Sequence, residues 1–251
     1  PDMADRLGIG IVGAGVIGAV HAQALGELAD LARVVAVADP REDVGRKLAD
    51  SVGAKWHDSL DEMLADTDVQ VVVVATPSGM HPDHAVAAAQ AGKHIITEKP
   101  MAISKDGIDR MIAAVEKHGV EMAVIFQNRL SNDIVKAKRA VEAGMIGKPV
   151  LGNASVHWHR TPAYYQANGG WRGTWELDGG GSLMNQSVHT IDLIQWIMGG
   201  VSAVSANIAT LTHDIETEDT ATASVVFNSG ALGTIQGTTS ASEDWPVRVE
   251  V

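Results

Sequence analysis

Lys99 and His189 are the side chains of this 251-residue chain whose types and settings suit work on an alcohol. Lys99 stands in Glu98-Lys99-Pro100. An ammonium there can hydrogen-bond a hydroxyl and favour its alkoxide, and the following proline restricts the backbone that carries it. His189 lies in Gly179-Gly180-Gly181-Ser182-Leu183-Met184-Asn185-Gln186-Ser187-Val188-His189-Thr190-Ile191-Asp192. Its imidazole titrates near neutrality and suits a general base. Read as one helix, Asn185, His189 and Asp192 are four and three residues apart and share a face. Asn185 and Asp192 are therefore placed with the substrate. Plain structural readings stand beside these: a solvated loop lysine, and a core histidine bonded to Asp192.

A base and a cation of this kind need a hydride acceptor, and Gly13-Ala14-Gly15-Val16-Ile17-Gly18 has the form of a dinucleotide turn. Gly13 allows the turn, Gly15 lets the backbone approach a pyrophosphate, and Gly18 lets the following helix pack closely. Val16 and Ile17 open that helix, whose N-terminus offers N–H groups to the phosphates. Asp39 ends the next strand-like run, in the place of a ribose-binding acid. Its carboxylate favours NAD over NADP, and Arg41 stands where it can offset that preference, so NADP remains possible. Thr76-Pro77-Ser78 with His81 forms a loop that can pass under the cofactor. Glu98, Lys99 and Gln127 follow later strands in the same manner.

The elements that position these residues alternate regularly. Strands are read at Gly8–Val12, Val34–Ala38, Ala54–Trp56, Val69–Ala75, His94–Ile96 and Glu121–Phe126. Helices are read at Val16–Leu28, Arg41–Ser51, Leu60–Leu64, His81–Ala91 and Ser104–His118. Such alternation predicts βαβ units, hence an α/β fold with a doubly wound parallel sheet over the N-terminal domain, residues 1–124. Residues 125–251 read as a second, α+β domain with a largely antiparallel open sheet. It has a helix at Asn132–Ala143, a strand at Val150–His159 and an irregular aromatic, glycine-rich stretch at Tyr164–Gly181. A helix at Leu183–Met198 and strands at Ser202–Leu211, Thr220–Phe227 and Gly230–Thr238 follow. Asn128, Arg160, Tyr165 and Arg172 of this domain are substrate candidates, the two arginines because paired donors suit a carboxylate or phosphate. The chain ends inside a strand-like run, Arg248-Val249-Glu250-Val251, so the remainder of this sheet is expected beyond it.

Composition narrows the chemistry. With no cysteine, disulfides, thiolate metal sites and cysteine nucleophiles are excluded. His157 and His159 alternate on a strand but lack further ligands, so no metal site is expected. A net charge of −12 disfavours nucleic acid as a partner. No apolar run reaches the roughly 20 residues of a membrane span, and the polar N-terminus carries no secretory signal. These features read as a cytoplasmic protein. No G-x-S-x-G nucleophile elbow follows a strand.

Taken in order and spacing, GAGVIG, ATPSGMH, EKP and GGGSLMNQSVHTIDLIQW resemble the Gfo/Idh/MocA oxidoreductases over essentially the whole chain. The resemblance implies a Rossmann domain binding NAD or NADP, and a C-terminal open sheet supplying the substrate site and the contacts of a homo-oligomer, a dimer or tetramer. It also implies a sugar, polyol or nucleotide sugar as substrate, oxidised at a secondary hydroxyl. On this pattern the family lysine is Lys99 and the family histidine is His189. Many members carry an aspartate where this chain has Asn185, and an amide cannot act as a base, so His189 is the principal base. Two alternatives within the resemblance are an NAD-using glycosidase and a non-catalytic cofactor-binding regulator. The family is also longer than 251 residues.

Overall fold

The computed structural model describes residues 6–251, which form two compact units meeting in sequence at Ile125/Phe126. The polar N-terminal run, residues 1–5, lies outside the described residues. In the first unit the strands are β1 (Leu7–Val12), β2 (Ala32–Ala38), β3 (Lys55–His57), β4 (Val71–Val74), β5 (His94–Thr97) and β6 (Met122–Val124). They pair in parallel in the order β3-β2-β1-β4-β5-β6. The helices α1 (Val16–Glu27), α2 (Glu42–Val52), α3 (Leu60–Leu64), α4 (His81–Gln90) and α5 (Lys105–His118) connect them. Every residue of β4, Val71-Val72-Val73-Val74, is buried, because helices cover both sides of a parallel sheet. Two apolar clusters result, one around Met63, Val72, Ile95 and Met111, the other around Ile11, Val37, Leu48 and Val73. The strand order reverses between β1 and β4, and ligands of such sheets bind at the carboxyl ends of the strands at that point.

The second unit carries α6 (Asn132–Glu142), β7 (Leu151–His157), α7 (Pro162–Gln166), α8 (Val188–Met198), β8 (Val201–Ala209), β9 (Thr220–Phe227), β10 (Leu232–Thr238) and β11 (Arg248–Glu250). Its sheet runs β11-β7-β10-β9-β8, antiparallel throughout except that β10 lies parallel to β7. One face packs on α8, where Ile194 and Met198 meet Ala154, Val225, Phe227 and Ile235. Alternate residues of β10 are buried against that cluster, while Val204 and Ile208 of β8 and Leu232 of β10 stay exposed. The glycine turn Asn228-Ser229-Gly230 closes the β9–β10 hairpin, with Gly230 at φ 83°.

One helix differs from its reading. Leu183–Met198 is not a single α-helix: Ser182–Ser187 is π-helical, and the α-helix begins at Val188. Gly181 approaches so closely that a Cβ there would stand 1.9 Å from the Glu218 carbonyl oxygen. The buried Glu218 carboxylate accepts from the N–H groups of Gly181 and Leu183, at 2.9 and 2.8 Å. A carboxylate at the start of a helix satisfies donors that the helix itself leaves unpaired. The Ser187 hydroxyl donates to the Ser182 carbonyl five residues back, in keeping with the wider turn.

Candidate functional site

The carboxyl ends of β1, β4 and β5 carry the three loops singled out above. Val12 pairs with Val74, and the Glu98 N–H donates to the Val74 carbonyl, so the three loops leave one edge of the sheet. Gly13 has φ 94°, and a Cβ there would stand 2.7 Å from the Ala75 carbonyl oxygen. At Gly18 a Cβ would stand 2.0 Å from the Gly13 carbonyl oxygen, whereas at Gly15 it would meet nothing within 4 Å. Gly15 is also the N-cap of α1, which has no side-chain cap and no acidic residue in its first turn. By contrast α3 and α5 are capped by Ser59 and Ser104. Open space before uncapped N–H groups fits an anionic ligand such as a pyrophosphate. The residues present therefore fit a dinucleotide. Val16 and Ile17, beside that opening, are exposed.

Asp39 follows β2 with its side chain only 4% exposed. Its four acceptor positions take the N–H groups of Ala14 and Arg41, each at 2.9 Å, and the Arg41 guanidinium through Nε at 3.0 Å and Nη2 at 2.9 Å. Burial alone would raise its pKa. The Arg41 side chain and the two N–H groups outweigh that and hold the carboxyl below its usual range. Arg41 thus closes on Asp39, with half of its own side chain exposed to solvent.

In the β4 and β5 loops the sequence residues separate by burial. Thr76 is half-buried, its hydroxyl 3.1 Å from His84 Nδ1, and Pro77 precedes a short 3-10 turn, Ser78–Met80, in which Ser78 is buried. His81, singled out with the cofactor loop, is 1% exposed, with Nδ1 2.8 Å from the Pro100 carbonyl and Nε2 3.0 Å from the Thr76 carbonyl. Both ring nitrogens face backbone, so its part at this edge is to join loops. Lys99 is half-buried and the Lys99–Pro100 bond is cis. Glu98 meets His21 of α1 at 2.9 Å and accepts the Lys99 N–H at 3.2 Å. Burial alone would raise Glu98, but the His21 contact together with the Lys99 N–H and charge outweighs it and keeps the carboxyl below its usual range.

In the second unit Asn185 lies in the π-helical turn, and His189 and Asp192 lie in α8. Asn185 turns to the buried Asp178, donating from Nδ2 to Oδ1 at 2.5 Å, while its own carbonyl accepts from Gln186. Asp192, expected at the substrate or on His189, instead forms a bidentate pair with Arg129, Nε at 2.6 Å from Oδ2. That carboxylate is held by the guanidinium. The pair ties α8 to the 3-10 turn Gln127–Leu130, where Gln127 and Asn128 are exposed. His189 lies edge-on to Phe126, ring centroids 6.1 Å apart.

The arginines expected at the substrate come together on a residue not singled out, Tyr164. The Arg160 guanidinium carbon is 5.3 Å and that of Arg172 4.6 Å from the Tyr164 ring centroid, and Trp158 and Trp171 lie 4.7 Å from Arg160 and 4.9 Å from Arg172 respectively. Arg160 donates to Gln186 Oε1, and Gln186 Nε2 donates to the Tyr164 hydroxyl. Asp244 stands 3.4 Å from Arg160 on the solvent side. Tyr165 is the buried partner: its hydroxyl donates to Thr239 and its ring packs on His213. His157 lies edge-on to Trp245, and His159, beyond the end of β7, contacts the Ala241 carbonyl. Among the described residues no group of three or more histidines and carboxylates is arranged to hold a metal, and no helix is long and apolar enough to cross a membrane.

Known proteins share both halves of this arrangement. Residues 7–126 match the family model described as oxidoreductase family, NAD-binding Rossmann fold, and residues 134–251 match the GFO/IDH/MocA C-terminal domain. Myo-inositol 2-dehydrogenase of Thermotoga maritima is 32% identical over 97% of this chain and 72% of its own length. The WlbA dehydrogenase of Chromobacterium violaceum, solved with NADH and UDP-GlcNAcA, superposes with a TM-score of 0.92 at 39% identity. That match covers 97% of this chain and 70% of the other. The Bordetella pertussis WlbA dehydrogenase, in complex with the same two molecules, has TM-score 0.92 and 38% identity over 95% and 72%. A glycine turn built for a pyrophosphate, on a sheet with this order, is thus accompanied by matching sequence across both units, and the chain belongs to the GFO/IDH/MocA family of NAD-binding oxidoreductases.

Proposed function

We propose that this oxidoreductase is an NAD-dependent dehydrogenase that oxidises a secondary hydroxyl of a sugar carrying negative charge, a nucleotide-linked sugar acid being the best fit. The observation that carries this reading is the convergence of Arg160 and Arg172 on Tyr164, next to Gln186. In a chain of net charge −12, two guanidiniums held together by an aromatic ring are suited to an anion, which they recognise through paired donors. UDP-GlcNAcA, seen with two relatives at 38 and 39% identity, has that chemistry.

NAD, when bound, supplies the acceptor for the hydride of the substrate carbon. The chain supplies the rest: His189 has the role of base for the hydroxyl proton, and Lys99 that of the donor that stabilises developing negative charge. Asn185 cannot take a proton. Its amide instead orients on Asp178, leaving His189 as the base. Arg41, on the exposed side of Asp39, supports some use of NADP. Exposed Val226 and Leu232 on the open sheet face, with Val204 and Ile208 exposed on edge strand β8, support a homo-oligomer, a dimer or tetramer. The cysteine-free composition supports a cytoplasmic enzyme. Purified protein with NAD is tested against UDP-GlcNAcA, UDP-GlcNAc and myo-inositol. Reduction of NAD with UDP-GlcNAcA far exceeding that with the uncharged-sugar analogues, and a rise of about tenfold or more in KM for Arg172→Gln, supports the reading. Equal rates on all three, or an unchanged KM, overturns it.

A further inference from the structure

Lys99 is bracketed by two histidines from two different helices. On one side, His21 in the second turn of α1 places Nε2 2.9 Å from Glu98 Oε1, and the other oxygen of that carboxylate accepts the Lys99 N–H at 3.2 Å. On the other side, His81 at the start of α4 places Nδ1 2.8 Å from the carbonyl oxygen of Pro100. Its Nε2 stands 3.0 Å from the Thr76 carbonyl, so the ring lies between the β4 and β5 loops, and in the neutral form that burial favours its single N–H donates to one of the two carbonyls. His81 is wholly buried, and the His21 and Glu98 side chains are about one-sixth exposed, at 16% and 15%. The residues before and after Lys99 are therefore each fixed to a helix that packs on the sheet, by contacts shielded from water. A lysine has a long flexible side chain, so the placement of its amine depends on how firmly its backbone is held. A shift of about 1 Å at a reacting group can cost roughly a hundredfold in rate.

We infer that His21 and His81 are positioning residues for Lys99, which fix Glu98-Lys99-Pro100 between α1 and α4 and thereby set where the lysine amine stands. The inference rests on Lys99 acting on the substrate. It gives His81, whose ring has both nitrogens turned to backbone carbonyls, a part in the reaction that needs no contact with cofactor or substrate.

A double-mutant cycle tests it, with NAD and UDP-GlcNAcA as the probes. His21→Leu and His81→Gln each lower kcat about tenfold with KM changed less than about twofold. His81→Leu loses more than His81→Gln, whose amide still donates to one carbonyl. In a Lys99→Met background both histidine substitutions change kcat less than about twofold, because the group they position is gone. A readout free of turnover accompanies the cycle: amide hydrogen exchange of residues 97–101 in the cofactor-free protein speeds up in both variants, while β1 and β4 stay protected. Additive losses in the Lys99→Met background, or unchanged exchange at 97–101, overturn the inference. Full kcat in Lys99→Met refutes the role of Lys99 itself, an outcome distinct from additivity.

Discussion

At Gly15 a methyl group would meet nothing within 4 Å, whereas at Gly18, three residues along the same turn, it would stand 2.0 Å from the Gly13 carbonyl oxygen. The two substitutions to alanine therefore separate folding from cofactor binding. Gly15 has φ −70° and ψ −166°, which alanine adopts without strain. Alanine is a poorer N-cap than glycine by a few tenths to about 1 kcal/mol, and it recovers roughly 0.4–1 kcal/mol through the unfolded chain. These offset, so Tm changes by no more than about 4 °C. The added methyl fills the space in front of the first N–H groups of α1, where the pyrophosphate belongs, and NADH affinity falls at least about tenfold, or ~1.4 kcal/mol. Gly18→Ala forces α1 off the turn and costs about 3 kcal/mol, a fall in Tm of roughly 6–12 °C. Thermal unfolding by circular dichroism and titration with fluorescent NADH read the two effects on the same samples. Gly15→Ala protein that binds NADH like the parent refutes the placement of the pyrophosphate.

Arg41→Ala removes two of the donors on Asp39 and the cation nearest a 2′-phosphate. The ratio of kcat/KM for NAD over NADP then rises by about tenfold, measured with either cofactor at saturating sugar. Asn185→Asp sets a carboxylate against Asp178, and the pair shares a proton up to a pH above the ordinary carboxylate range. Stability linked to that proton is full at low pH and lost as pH rises, so the drop in Tm is small near about pH 5 and larger near about pH 8. A drop independent of pH contradicts this. Asp219 is fully buried, which by itself would raise its pKa. The N–H groups of Leu211, Thr212 and His213 and the His213 ring outweigh that and hold it far below the usual carboxylate range. Its stabilisation is therefore complete above about pH 4 and lost as pH falls further. Urea unfolding followed by tryptophan fluorescence gives a constant gap between the parent and Asp219→Asn from about pH 7 to 5, narrowing below about 4.

The first unit was legible because its signals are local. A run such as Val71-Val72-Val73-Val74 admits only a strand buried on both faces, and Gly13 and Gly18 announce their close approaches. The second unit was less so, because its polar partners come from distant stretches. Asp192 is taken by Arg129, 63 residues away, and Glu218 satisfies Gly181 from 37 residues away. Neither distance leaves a mark in a periodicity. The π-helical turn at Ser182–Ser187 likewise leaves no mark in the sequence pattern, which reads as one helix. Asp178 and Tyr164 carry no motif. What hinted at Tyr164 was the clustering of aromatics and arginines between Trp158 and Trp175, which marks a surface without saying which ring organises it.

The central claim is that the chain moves a hydride from a carbon of a charged sugar to NAD. It is tested most directly by incubating the protein with NAD and ring-perdeuterated UDP-GlcNAcA and weighing the reduced cofactor by mass spectrometry. One deuterium gained per NADH formed, at a rate abolished by His189→Ala, is the predicted result. NADH that gains no deuterium, or no NADH at all from protein shown to bind the cofactor, contradicts it.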